Sequence, residues 1–381
     1  MATLLDKTIE NIEEIKIDAD GAIRARLDEL AIPRKSLGRL EELAIVYASI
    51  RGTARTNKFV HATQMHKVIF TMAGDHGIVE EGVSLFPQEV TRQMVLNFID
   101  GGAAINVLAR HVGARVIVVD CGVASDFGNI TPPQSPPSQG GDKGGYNNST
   151  SPRFCIKKIG YGTKNMLKGP AMSRGEAMRA IEGGIEVFEE ELPDGIDIAG
   201  TGDMGIGNTT PSSAILAVLT GTDIEEVTGR GTGLDDIALK KKIATIKQVL
   251  KVNKPDVSDP VDVLAKVGGF EIGAIAGLCL AAARHRIPVL LDGFISTVGA
   301  LIACRLSPKV NNYLIASHKS VEKGHGFVLE YLGKKPLLDL NLRLGEGTGA
   351  ALGMSLVEAG VKILTQMATF SNAKVSKPQP T

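Results

Sequence analysis

The chain has 381 residues and equal numbers of basic and acidic side chains, 42 Lys plus Arg against 42 Asp plus Glu. No positive excess therefore exists to hold nucleic acid or anionic lipid by charge. Aromatics are 4% with no Trp, which argues against stacking platforms for single strands or sugars, and glycine is over-represented at 44 residues.

At about 100–200 residues per domain, the length fits one large α/β unit with an appendage, or two units. The four cysteines, Cys121, Cys155, Cys279 and Cys304, form no CxxC pair, so neither a zinc ribbon nor a disulfide scaffold is indicated. The N-terminal MATLLDKTIENIEEIKID carries acids throughout and lacks the apolar centre of a signal peptide. The most apolar helix-like stretch, 272–283, is well short of the ~20 residues that span a bilayer. A soluble, cytoplasmic protein in a reducing compartment is expected, with no membrane and no nucleic-acid partner.

In chain order, SLGRLEELAIVYASI (36–50) places Leu37, Leu40, Leu43, Ala44 and Tyr47 near a 3.6-residue period and predicts a helix capped by Ser36. KVIFTMAG (67–74) and ARVIVVDCG (114–122) are short Val/Ile-rich runs that stop at glycine, as buried parallel strands do. The stretch between them is long enough for a helical crossover, giving a βαβ unit. Residues 129–152 are Pro, Ser, Gly and Asn with almost nothing to bury and predict a mobile surface insertion. Further strands are expected at 196–200, 288–292 and 312–317. Gly273 and Gly277, one helical turn apart, predict a close helix–helix approach, within the chain or across a subunit boundary. The tail after Thr369 reads as frayed. The fold class is α/β, a mostly parallel sheet with helices on both faces, and ligands in such sheets bind beyond the carboxyl ends of the strands.

Those ends carry the candidate chemistry. GTGDMGIGNTT (200–210) puts glycines at a strand end and then Asn208, Thr209 and Thr210 at the start of an apolar helix, a ready anion site. Gly205, Gly207, Asn208 and Thr209 are read as a phosphate or phosphoribosyl cradle. The alternative is a dinucleotide fingerprint, because Gly200, Gly202 and Gly205 satisfy GxGxxG and Asp223 follows about twenty residues on. That reading makes the chain a nucleotide-cofactor oxidoreductase; a nucleotide-sensing binding module is the non-enzymatic rival. In RLGEGTGAALG (343–353) a single carboxylate, Glu346, stands between glycines at the mouth of an apolar helix. Leu342 and Leu344 offer an apolar wall that would raise its pKa toward the range of a general base. Arg230 and Lys240–Lys242 could neutralise a phosphate or form a solvated face. His318, Glu322 and His325 fall at i, i+4 and i+7 and could share a helix face as metal ligands, although an interface or capping role is favoured. Asp75-His76-Gly77 either serves catalysis or shapes its loop.

The segments LAIPRKSLGRLEELA, AGDHGIVEEGVSLFPQEVTRQMVLNFIDGGAAINVLAR, GTGDMGIGNTT, GRGTGLDD, LDGFISTVGALIA, SHKSVEKGH and LRLGEGTGAALG, in that order, resemble nicotinate-nucleotide:dimethylbenzimidazole phosphoribosyltransferases over roughly residues 25 to 370. The resemblance implies transfer of phosphoribosyl from nicotinate mononucleotide to 5,6-dimethylbenzimidazole, giving α-ribazole 5′-phosphate and nicotinate in cobalamin biosynthesis, without cofactor or metal. It also implies a homodimer. Each subunit would have a Rossmann-like large domain, 56–345, and a small helical domain drawn from residues 1–55 and 346–381. It puts the catalytic base on Glu346. Met204, Gly205 and Leu344 would contact the bases, Ser84 and Gln93 would line the benzimidazole pocket, and Gly231, Gly233 and Lys242 would meet the ribose phosphate. Two departures stand out. Asp203 occupies a position where many relatives have Glu, which keeps a substrate-side carboxylate but shortens its reach by one methylene. Pro33-Arg34-Lys35-Ser36-Leu37-Gly38 replaces the commoner Pro-Pro-Gly-Ser-Leu-Gly.

Overall fold

The computed structural model describes residues 2–17, 21–52, 56, 65–128 and 152–377. Its centre is β1, Lys67–Gly74, buried along its whole length. Alternation sends Val68, Phe70 and Met72 into one apolar cluster and Ile69 and Ala73 into another, so the strand feeds two cores at once. β2 (Ala114–Gly122), β3 (Arg153–Ile156), β4 (Ile198–Met204), β5 (Val289–Leu291) and β6 (Leu314–Ala316) complete a six-stranded sheet in the order β3-β2-β1-β4-β5-β6, with every pair parallel. The connectivity reverses between β1 and β4, where a doubly wound sheet opens a crevice beyond its carboxyl ends.

Helices Arg174–Glu190, Phe270–Arg284 and Phe294–Leu306 cover the first face. Helices Glu89–Ile99, Ala104–Val112 and Thr348–Gln366 cover the second. Helix Arg39–Arg51 packs on Thr348–Gln366. There Ala44, Ile45 and Ala48 join Ile23, Leu27, Leu30 and Leu364 in a separate small cluster that brings the two chain ends together. Among the described residues no helix is long and apolar enough to cross a membrane.

β1 and β2 have the bounds the sequence predicts, and five points differ. Helix Arg39–Arg51 starts at Gly38, whose φ of 51° only glycine adopts readily, while Ser36 closes a turn on the Pro33 carbonyl and caps nothing. The crossover is two helices, broken at Asp100-Gly101-Gly102. β4 runs four residues past Gly200, through the glycines expected to form a loop, and the short edge strand β3 was not anticipated. Directly after Thr369 the chain makes one more helical turn, Phe370–Ala373, capped by the Thr369 hydroxyl and tied to Glu29 by the Phe370 N–H. The insertion at 129–152 lies, apart from Pro152, outside the described residues.

Gly273 and Gly277 do permit a close approach, but within the chain rather than across a subunit boundary. A Cβ on Gly277 would stand 1.8 Å from the Ile181 carbonyl oxygen, and one on Gly184 would stand 1.9 Å from that of Ala274. The two backbones touch, so neither helix can retreat without opening the core. Gly277→Ala is therefore expected to destabilise the fold by about 1–3 kcal/mol through overpacking, read as a lower urea midpoint; an unchanged midpoint would show that the pair can separate freely.

Candidate active site

The turn carrying Glu346 lies directly on β4. A Cβ on Gly202 would meet the Glu346 carbonyl oxygen at 2.3 Å, and one on Gly200 would meet the Met354 methyl at 2.8 Å. These strand glycines exist so that the turn and the head of helix Thr348–Gln366 can rest on the sheet. Glu346 has φ +63°, a left-handed conformation that costs a non-glycine residue on the order of 1–3 kcal/mol. The surroundings hold it there. Its N–H donates to the Asp203 carbonyl (3.1 Å) and its carbonyl accepts from Thr71 Oγ1 (2.9 Å). Thr71 is the uncharged polar residue of the strand, and like Lys67, which pairs with Glu358, it lies on the face that meets this helix.

The Glu346 carboxylate is buried, and its Oε2 accepts the N–H of Ile105 at 3.2 Å, in the first turn of helix Ala104–Val112. Burial raises its pKa, and the Ile105 N–H pulls it back, so the direction matches the expectation. The apolar wall does not supply that burial in the way expected, because Leu344 is 57% exposed at the rim.

Two further carboxylates stand close by. Asp203, at the end of β4, is pushed up to about 8 by burial and by the neighbouring charges of Asp292 and Glu271, against a hydrogen bond from Asn208 Nδ2 (3.0 Å). Asp292, at the end of β5, is pushed up to about 7 by burial, against N–H donors from Gly349, Gly347 and Ala350.

A cavity of about 370 Å³ opens above these groups. Its lining brings together Ser84, Asp203, Met204, Gly205, Gly207, Asn208, Thr209, Gly231, Leu344 and Glu346, ten of the thirteen positions read as catalytic or substrate-binding, and also His318 and Glu322. Three do not line it. Gln93 is exposed on helix Glu89–Ile99, where Val90 and Met94 face the cavity instead, and Gly233 lies just outside, beyond Thr232. Lys242 sits behind the wall: Nζ is buried and donates to Thr209 Oγ1 at 2.7 Å, and burial brings its pKa down to about 8. The basic run thus divides, with Lys240 and Lys241 outside the lining and Arg230 paired to Asp236.

Residues not singled out complete the lining, chiefly Val83, Phe86, Phe294, Ile295, Ser320 and Arg343. Their signal was the set of strand-end loops as a whole, and side-chain identity added nothing to it.

His318, Glu322 and His325 do not share a helix face. His318 follows β6, Glu322 is the N-cap of helix Lys323–Tyr331 and His325 alone lies within that helix. His325 Nδ1 accepts the Ser320 N–H at 2.9 Å and its Nε2 is 3.0 Å from Thr297 Oγ1, a loop-capping role for a ring kept neutral by burial. Among the described residues no group of three or more His, Cys, Asp or Glu is arranged to hold a metal ion. Asp75-His76-Gly77 shapes its loop: Asp75 Oδ2 accepts the Ala124 N–H (2.8 Å) and His76 Nε2 pairs with Glu271 (2.8 Å) beneath Gly205.

The dinucleotide reading fails on topology. In a doubly wound sheet the fingerprint glycines form the turn after the first strand, whereas here Gly200 and Gly202 lie inside the fourth and are filled by the chain's own Met354 and Glu346. Gly205 also packs on β1, since its Cβ would stand 2.3 Å from the Gly74 carbonyl.

A family model described as a phosphoribosyltransferase, DBI_PRT, matches residues 12–375. The chain is similar to the nicotinate-nucleotide–dimethylbenzimidazole phosphoribosyltransferase of Desulforudis audaxviator (strain MP104C), 56% identical over 374 residues and 98% of each chain. It is 53% identical to the Geobacter metallireducens protein of that name, over 98% of this chain and 99% of the other. Among solved structures it is similar to CobT from Thermus thermophilus, at 40% identity and a TM-score of 0.82, over 94% of this chain and 99% of that one. Matches of this length and identity mean that the chain belongs to the nicotinate-nucleotide–dimethylbenzimidazole phosphoribosyltransferase family.

Proposed function

We propose that this chain moves the phosphoribosyl group of nicotinate mononucleotide to 5,6-dimethylbenzimidazole, with Glu346 as the base. The observation that carries the reading is one buried carboxylate, held by a backbone N–H, in a cavity that also contains the head of helix Thr209–Thr220 backed by Lys242. The phosphate would take the helix N-terminal amides and the Thr209 hydroxyl, with Lys242 supplying charge from behind. Val83, Phe86, Val90, Met94 and Leu344 would form the apolar wall for a flat heterocycle.

The chemistry needs one base and no acid. One benzimidazole nitrogen attacks the ribose anomeric carbon, and the bond to nicotinate breaks with its electron pair neutralising the pyridinium ring. The leaving group therefore departs uncharged at nitrogen. The second benzimidazole nitrogen loses its proton to Glu346. Direct attack inverts the anomeric centre from β to α, and holding two flat substrates face to face supplies much of the remaining rate.

The proposal extends to a homodimer, supported by the apolar Leu85, Phe86 and Leu344 left exposed around the cavity mouth, and to a cytoplasmic location, supported by four free buried cysteines. The helical unit built from both chain ends rests on the small cluster joining Leu27 and Leu30 to Leu364.

Glu346→Gln keeps size and hydrogen bonding but cannot accept the proton, so kcat for nicotinate release should fall on the order of 10²–10⁴ with both substrates still bound. Because the acid form of Glu346 is inactive, the wild-type rate should drop as pH falls through its pKa, and the variant should lose that limb. Poor binding with normal turnover at saturation would move the base elsewhere, with Asp203 next. Titration with NAD should give no saturable binding; tight binding would restore the oxidoreductase reading.

A further inference from the structure

The turn that presents Glu346 is fastened on two sides. Thr71 and Asp203 hold the Glu346 peptide from the strand side. On the helix side the fastening is Asp292, fully buried at the end of β5. Its Oδ2 accepts the N–H of Gly347 at 3.1 Å, and its Oδ1 accepts those of Gly349 at 2.7 Å and Ala350 at 3.3 Å. Three N–H groups at the head of helix Thr348–Gln366 thus converge on one carboxylate from another strand.

The helix cannot cap itself. Its N-cap is Gly347, at φ 99°, and a Cβ there would stand 2.6 Å from the Ile69 side chain, so no Ser, Thr or Asp fits where a cap ordinarily sits. The capping group must come from across the sheet. Gly347 is also the residue that follows Glu346. Fixing its N–H fixes the peptide that sets the direction of the Glu346 side chain, one residue held at positive φ.

We propose that Asp292 is a positioning residue for Glu346: by capping the following helix from β5 it holds the strained turn in the one orientation that aims the carboxylate into the cavity. This rests on Glu346 being the base. A residue that merely stabilised the helix would lower stability when removed and leave turnover per folded site unchanged.

The test measures kcat and both KM values for Asp292→Ala, Asp292→Asn, Glu346→Gln and the two double variants, each normalised to folded protein by active-site titration or ligand-binding stoichiometry. Asp292→Ala should lose on the order of 10² in kcat with little change in either KM, the usual penalty for a reacting group displaced by about an ångström. Asp292→Asn keeps one acceptor oxygen and should recover about tenfold of that loss. Each double variant should be no slower than Glu346→Gln alone, since nothing remains to be positioned once the base is gone. Wild-type kcat in Asp292→Ala, or losses that multiply in the double variants, would overturn the proposal. If the alanine variant does not fold, Asp292→Asn and its double variant give the same decision, with a smaller single loss. Full turnover in Glu346→Gln would instead refute the base, a separate outcome.

Discussion

The candidate active site depends on backbone lying against backbone. The Glu346 turn contacts β4 at Gly202, and the helix behind it contacts the same strand at Gly200. A side chain at either position would lift the turn away from the sheet, taking with it the hydrogen bonds to Asp203 and Thr71 that hold Glu346 at positive φ. Glycine in a strand interior ordinarily weakens it by about 0.5–1 kcal/mol relative to Ala. Here the loss is offset by burial of β4 between β1 and β5, where it pairs on both sides.

The charge balance follows from the same geometry. Asp203, Asp292 and Glu346 gather at the carboxyl ends of β4 and β5, and the groups that face them are backbone amides, the Asn208 amide and the His318 ring, which burial keeps neutral. Burial pushes Asp203 up to about 8 and Asp292 up to about 7, which withholds part of the negative charge near neutrality, and the remainder favours positive charge above it. A pyridinium nucleotide carries that charge in the ground state, and an anomeric carbon losing its leaving group spreads it over the ribose. Fixed dipoles do not reorganise as the reaction proceeds, which is why amides suit this task better than mobile ion pairs.

Much of this was legible in the sequence. β1 and β2 announced themselves as short Val/Ile-rich runs that stop at glycine, and Glu346 stood out because only glycines flank it. What escaped detection depends on contacts distant in the chain. Gly200 and Gly202 read as a loop because local pattern cannot show that another segment will fill the space above a strand. Val90 and Met94 face the cavity where Gln93 was expected, and Met94 differs from it by one residue, which helical rotation decides. His318 and His325 had helical spacing without a common helix, since the chain straightens after β6 and begins the helix only at Lys323. Asp292 gave no signal beyond ending an apolar run, and its partners lie 55 to 58 residues away.

Lys242 ties the wall of the cavity to solvent acidity. It is buried behind Thr209, and burial draws its pKa down to about 8, toward neutrality. A doubly charged phosphate seated on Thr209 would stabilise the ammonium form and draw a proton from buffer as it docks. On the proposed reading, occupancy and protonation would be a single linked equilibrium, in which alkaline solution opposes binding by removing the proton from this nitrogen.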